Sequence, residues 1–278
     1  MRPLKWMLFL CGWCCAAAAQ PQPAVPTGQW RGTAWAHTAS SLQALVQQAR
    51  VCLPTAVTGG GVHCSLWRDL PLDKSSVRVP VVLFLHGSSG LGLPAIGEWQ
   101  RWLATLGYAS MAPDSFALQD RVTYESPIDK AAYERIHALR ASEIAPALAA
   151  LRDQSWADAQ KLVLAGTSEG AVSVARYTGS EFAARLIYAW SCEDNYFVQL
   201  ARNAFPIDVP VLNVISASDP FFSSRNRWLG VSGALGHCGA ALAGHSRAAV
   251  LLIPQAPHTL LNLPVVRGTT AGFLQQLF

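Results

Sequence analysis

Five residues, Gly166-Thr167-Ser168-Glu169-Gly170, hold a serine between two glycines at G-x-S-x-G spacing. A serine in this pattern sits on a sharp strand-to-helix turn with its hydroxyl projecting from a sheet edge. Side chains two positions to either side would collide with the flanking strand and helix, so glycine is required there. A serine hydroxyl is a weak nucleophile at neutral pH. It needs an adjacent base, and an acid must orient that base. The order expected on a strand–turn–helix framework is serine, acid, histidine.

His258 meets the requirement for the base. It lies in Pro254-Gln255-Ala256-Pro257-His258, just after the last apolar run, Ala248 to Ile253. A loop in that position can reach back over a sheet edge. The other histidines fit less well. His137 precedes the serine and reads as helical, His237 lies in a Gly-rich stretch beside Cys238, and His245 comes before the last run. For the acid, Asp219 in Ser216-Ala217-Ser218-Asp219-Pro220 follows the run Pro210 to Ser216. Open α/β sheets place their ligands at such carboxyl ends. Glu193 and Asp194 are rivals, because they follow the preceding run. Asp208 precedes a run and falls on the wrong edge. A turn-capping aspartate before proline is the plain structural alternative for Asp219. The charge developing on an attacked carbonyl needs two backbone donors aimed at one point. The amide of Glu169 is the first. The amide of Ser88, in His86-Gly87-Ser88, is the second, and His86 itself reads as structural.

These residues need a scaffold, and the hydrophobic pattern supplies one. Val79 to Leu85 is a continuous β-branched run, the look of a strand buried on both faces. Lys161 to Ala165 leads into the serine motif, and Ala171 to Tyr177 is helix-compatible. Arg185 to Trp190, Pro210 to Ser216 and Ala248 to Ile253 read as further strands. Helices are expected at Ile96 to Thr105, at Asp129 to Arg152 with Pro146 kinking or dividing it, and at Thr269 to Leu277. Strands alternating with helices from residue 79 onward imply an α/β fold with a mostly parallel sheet covered on both faces. Ala49 to Leu53 and Val62 to Trp67 are expected to add an antiparallel hairpin at the start.

The chain resembles the α/β-hydrolases and, within them, the dienelactone hydrolase family. The His86-Gly87 loop, Asp114-Ser115-Phe116 with Arg121, the 166–170 motif, and the Asp219 and His258 loops carry this likeness over most of residues 79–262. The resemblance implies an α/β-hydrolase fold in a single compact domain without a large lid. It also places a cysteine after the strand that follows the serine turn in related exported members, where Cys192 stands here. Well-known members of the family use a cysteine nucleophile. Ser168 in its place favours general ester hydrolysis over hydrolysis of dienelactones. Asp114 and Arg121 are expected to shape the loop beside the pocket.

The N-terminus reads as an export signal over residues 1–19: basic Arg2 and Lys5, an apolar Trp6 to Trp13, then Ala16 to Ala19. A Pro-rich linker over 20–28 and a catalytic domain over 29–278 follow. The apolar stretch is short for a membrane span, so no stable membrane insertion is expected after cleavage, and the mature protein is expected to be periplasmic or secreted. Three of the seven cysteines lie in the leader. The four that remain, Cys52, Cys64, Cys192 and Cys238, point to two disulfides in an exported chain. Three pairings are possible; Cys52 with Cys64 would staple a local Gly-rich loop and leave Cys192 with Cys238.

With 51% hydrophobic and 14% charged residues in 278, the chain can bury a large core, which excludes a disordered chain. A formal charge of +4, scattered along the sequence, gives no footprint for nucleic acid. The expectation is a serine hydrolase that cleaves small carboxylic esters through an acyl-enzyme and uses no cofactor or metal. A peptidase or acyltransferase with the same triad is the alternative, as is a non-catalytic binding protein of this fold. Trp99, Trp102, Phe116, Tyr124, Phe221 and Phe222 are candidates for the pocket wall.

Overall fold

A computed structural model describes residues 28–70, 75–231 and 233–278. The expected leader, and all but the last residue of the linker, lie outside the described residues. The elements in chain order are β1 (Trp30–Arg31), α1 (Ala39–Gln47), β2 (Arg50–Leu53), α2 (Thr55–Thr58), β3 (His63–Leu66), β4 (Val79–Leu85), α3 (Pro94–Thr105), β5 (Ala109–Ala112), β6 (Thr123–Tyr124), α4 (Lys130–Ser142), α5 (Ile144–Arg152), β7 (Ala157–Thr167), α6 (Glu169–Arg176), β8 (Ala184–Tyr188), β9 (Val211–Ser216), β10 (Ala248–Ile253) and α7 (Pro264–Gln275).

Eight strands form one sheet in the order β10-β9-β8-β7-β4-β5-β2-β3. Only β2 runs against the rest, pairing antiparallel with both β3 and β5. Side chains of a strand alternate between faces, and β4 uses both. Val81, Leu83 and Leu85 enter the core with Leu45, Ile136, Leu148 and Val172 from α1, α4, α5 and α6. Val82 and Phe84 enter the opposite core with Ile96, Trp99 and Leu103 from α3 and Val266 and Leu274 from α7. This double burial is why β4 is an unbroken apolar run. The outcome is an α/β-hydrolase fold.

Three helical regions differ most from the sequence expectation. The helix expected over 129–152 is two helices, parted at Glu143. Pro146 lacks the N–H that would serve the carbonyl four residues earlier, at Ser142, so the ladder breaks there. The closing helix starts at Pro264, five residues before the expected start; proline suits a first helical position. Finally, α1 was not legible as a helix, since its apolar stripe is short. It is started by a reciprocal Thr38–Ser41 capping box.

Both disulfides form. Cys52 and Cys64 are directly opposed across the β2–β3 hairpin. Cys192 bonds Cys238, 46 residues along the chain. Among the described residues, 217–247 contain neither helix nor strand. The second disulfide fixes this long connection to the loop after β8, helped by Glu193, which accepts the amides of Leu235 and Gly236 at 2.7 and 3.0 Å.

Candidate active site

β7 delivers the 166–170 motif at the carboxyl edge of the sheet, between β4 and β8. Ser168 sits at φ 53°, ψ −118°, in backbone space that side chains rarely adopt, and α6 begins at the next residue. Its own amide is held by the Tyr188 carbonyl at 3.0 Å. Both glycines are required by contact. A Cβ on Gly166 would lie 2.8 Å from the Gly170 backbone and the Val174 side chain, and one on Gly170 would overlap the carbonyls of Leu85 and His86. A strained turn of this kind persists only where the surroundings over-determine it.

Asp219 and His258 arrive from two adjacent parallel strands, β9 and β10, whose ends share that edge. The Ser216 hydroxyl ties the two loops together by donating to the Ala256 carbonyl at 2.7 Å. The buried Asp219 carboxylate divides its work. Oδ1 accepts the amides of Phe221 and Phe222 at 2.9 and 3.1 Å, and Oδ2 accepts from His258 Nδ1 at 2.7 Å. A neutral imidazole that gives its Nδ1 proton to a carboxylate presents Nε2 as an acceptor. The ring of Phe221 packs against His258 with centroids 4.7 Å apart.

Ser168 and His258 line one cavity of about 120 Å³, together with Ser88, Tyr124, Tyr196, Phe197, Phe221 and Phe222. No direct hydrogen bond joins Ser168 Oγ to His258 here, a contact that often tightens only when substrate is bound. The loop after β4 closes on the nucleophile: a Cβ on Gly87 would lie 3.3 Å from the Ser168 Cβ. The first amides of a helix have no acceptor within it, and the Glu169 N–H stands at the first position of α6.

The dienelactone hydrolase family model matches residues 70–229, which include β4, the serine turn and Asp219. The chain belongs to the dienelactone hydrolase family. Solved structures agree on the fold. A dienelactone hydrolase-type protein from Klebsiella pneumoniae superposes with a TM-score of 0.53 at 16% identity, covering 82% of this chain and 99% of that one. Est1E from Butyrivibrio proteoclasticus gives 0.51 at 13% identity, covering 82% and 93%. A cold-adapted esterase from an Arctic intertidal metagenomic library gives 0.51 at 16%, covering 83% and 95%. No curated protein sequence matches the chain.

In this dienelactone hydrolase family member the rival residues have other work. His137 is buried and donates from Nε2 to the Phe197 carbonyl at 2.8 Å; burial lowers its pKa to about 4. His237 accepts the Gly239 amide, and Asp194 accepts the Ala201 amide. Of the aromatic candidates, Tyr124, Phe221 and Phe222 line the cavity. Trp99 does not line it and is buried against Phe84 and Tyr188. Trp102 packs on the α3–α7 face, and Phe116 lies over the His86 ring, outside the cavity. Tyr196 and Phe197 escaped the sequence reading because they come from an irregular segment.

Beneath the serine turn lies a buried charged cluster that spacing did not reveal as a unit. Arg121 Nη2 donates to Glu169 Oε1 at 2.6 Å, and its Nε donates to Ser115 Oγ at 2.7 Å. Ser115 Oγ donates onward to Glu143 Oε1. Arg140 Nε lies 3.3 Å from Glu143 Oε2. Two guanidinium groups face two carboxylates, so the cluster is formally neutral. Burial opposes ionisation of Glu169, but Arg121 and Arg140 outweigh it and hold the carboxyl below its ordinary range. The legible sign was Arg140 itself, a charge on the buried stripe of α4 that carries Tyr133, Ile136 and His137.

Proposed function

We propose that the protein is a serine esterase working through a Ser168–His258–Asp219 triad and an acyl-enzyme intermediate. Ser168 Oγ attacks the ester carbonyl carbon as His258 Nε2 takes its proton. The amides of Ser88 and Glu169 hold the tetrahedral oxyanion. When the C–O bond to the leaving group breaks, His258 returns the proton to the departing alkoxide and the alcohol leaves. Water then attacks the acyl-enzyme with His258 again as base, releasing the carboxylic acid and restoring Ser168. Asp219 keeps the imidazole in the Nδ1–H tautomer and stabilises the imidazolium.

The observation that supports this best is the shared cavity: Ser168 on its strained turn and His258 on the Asp219 carboxylate line one space of about 120 Å³. That volume is close to the roughly 150 Å³ known to accept a benzene ring. With Tyr124, Tyr196, Phe197, Phe221 and Phe222 in its wall, it suits a small apolar or single-ring acyl group. Est1E has been solved with ferulic acid bound, an aromatic acid of the same kind. Export in a mature form beginning near Gln20 accords with the two disulfides, which persist in oxidising compartments. Mass measurement of the mature N-terminus tests it.

A fluorophosphonate probe with peptide mapping tests the mechanism. The adduct is expected on Ser168 and is expected to be lost in His258→Ala. Ser168→Ala should lower ester turnover by several orders of magnitude in a folded protein. Normal turnover in that variant would sink the triad.

A further inference from the structure

Both amides assigned to the oxyanion hole belong to peptide groups whose carbonyls are pinned. In a trans peptide the N–H points opposite the C=O, so fixing the carbonyl aims the donor. The Gly87 carbonyl, in the same peptide plane as the Ser88 N–H, accepts from His86 Nδ1 at 2.7 Å and from the Gly90 amide at 3.1 Å. His86 can donate from Nδ1 because its Nε2 is committed as the acceptor of the Ser115 amide at 3.1 Å. The Ser168 carbonyl, in the plane of the Glu169 N–H, accepts from the Ala171 amide at 3.0 Å.

One side chain reaches both halves. Arg140, fully buried on α4, donates from Nη2 to the His86 carbonyl at 2.9 Å. Its Nη1 lies 3.3 Å from the His86 ring nitrogens and 3.7 Å from Glu169 Oε1. The guanidinium therefore spans the β4 loop, which carries one donor, and the residue that carries the other. It touches no part of the cavity.

We propose that Arg140 is the positioning residue of the oxyanion hole, holding its two donor peptides in mutual register through His86 and the Glu169 carboxylate. This rests on the reading of Ser88 and Glu169 as the oxyanion donors. Arg140 acts mainly on the transition state, because the ground-state carbonyl depends far less on two aligned donors than the oxyanion does.

Arg140→Lys keeps the charge and loses the forked reach; Glu169→Gln keeps the shape and loses the charge. In each folded variant kcat for a phenyl acetate-type ester should fall 10- to 100-fold with KM within about twofold. Inhibition by an aryl trifluoromethyl ketone, which forms an oxyanion on Ser168, should weaken by the same factor, while inhibition by the product carboxylate holds. The double variant should lose less than the product of the single losses. Unchanged kcat per folded molecule, or an equal loss of ketone and product binding, would overturn the proposal. Should Arg140→Lys fail to fold, Glu169→Gln decides by the same readouts. A wild-type enzyme inert to the fluorophosphonate probe would fail the triad reading, and this proposal with it. A labelled wild type with unaffected variants would fail this proposal alone.

Discussion

The two sides of the serine turn are built on opposite principles. On the side proposed to hold the oxyanion, Arg121, Arg140, Glu143 and Glu169 are buried as a neutral set of charges drawn from the loop before β6, α4, the α4–α5 junction and α6. On the side of the proposed base, a single carboxylate meets a single imidazole, carried on loops and walled by Phe221 and Phe222. His258 keeps about 20% of its side chain exposed, whereas the Arg140 and Glu169 side chains are fully buried. In the proposed mechanism the difference follows from what each side must do. Backbone donors have to be rigid before the charge develops. The base has to change protonation state within each turnover, which a rigid, dry ionic cluster would oppose.

Disturbing each side should therefore damage different properties. The largest effect belongs to the base side: Asp219→Asn should cut kcat about 10⁴-fold by favouring the wrong imidazole tautomer, while the melting temperature moves little. Steady-state kinetics beside a thermal melt check this, and a large loss of stability would contradict the contrast. On the other side, Arg121→Met leaves the Glu169 carboxylate short of its closest partner, at 2.6 Å. It should cost about 3–5 kcal/mol of stability in denaturant titration. A loss below about 1 kcal/mol would mean that Arg140 alone compensates the charge.

The two disulfides set a similar contrast between a local and a distant tie. In the chain-entropy account, losing Cys192–Cys238, which closes 46 residues, should cost about 4 kcal/mol, against about 3 kcal/mol for Cys52–Cys64, which closes 12. The first should also lower activity, since it secures the connection that carries Asp219. Paired Cys→Ser variants, unfolded in urea and assayed, check both points.

The smallest effect per step is acid sensitivity. His86 is held neutral, first by burial and then by the adjacent Arg140, and burial lowers His137 to about 4. Unfolded, both rings titrate near their ordinary 6.5. Below that pH the unfolded chain binds more protons than the folded one, so stability falls as pH falls. The slope is about 1.4 kcal/mol per pH unit for each ring. Denaturant titrations between pH 7 and 5, above the range where carboxylates protonate, should show this loss; half the slope would show that one ring is already charged in the fold, and a flat profile that both are.

Much of the scaffold was legible because its signals are local. β4 is buried on both faces and so is apolar throughout, and its limits, Val79 and Leu85, follow from that run. The serine turn was legible because a strained strand-to-helix bend admits only glycine at 166 and 170. Asp219 and His258 were picked out by their places after β9 and β10, and the structure brings them to 2.7 Å. Tyr196, Phe197 and the charged cluster as a unit were not legible. Their partners stand tens of residues away, as Arg140 does from His86, and no spacing encodes such a meeting.

By itself, then, the sequence determined the elements whose cause lies within a few residues: the doubly buried strands, the glycine-bounded serine, and an even set of cysteines. Tertiary structure alone decided which cysteines pair and which aromatic rings wall the cavity. It also decided which buried charges neutralise one another. Those outcomes depend on distance after folding, and burial turns a pair of charges from a weak surface contact into one whose partner cannot be removed cheaply.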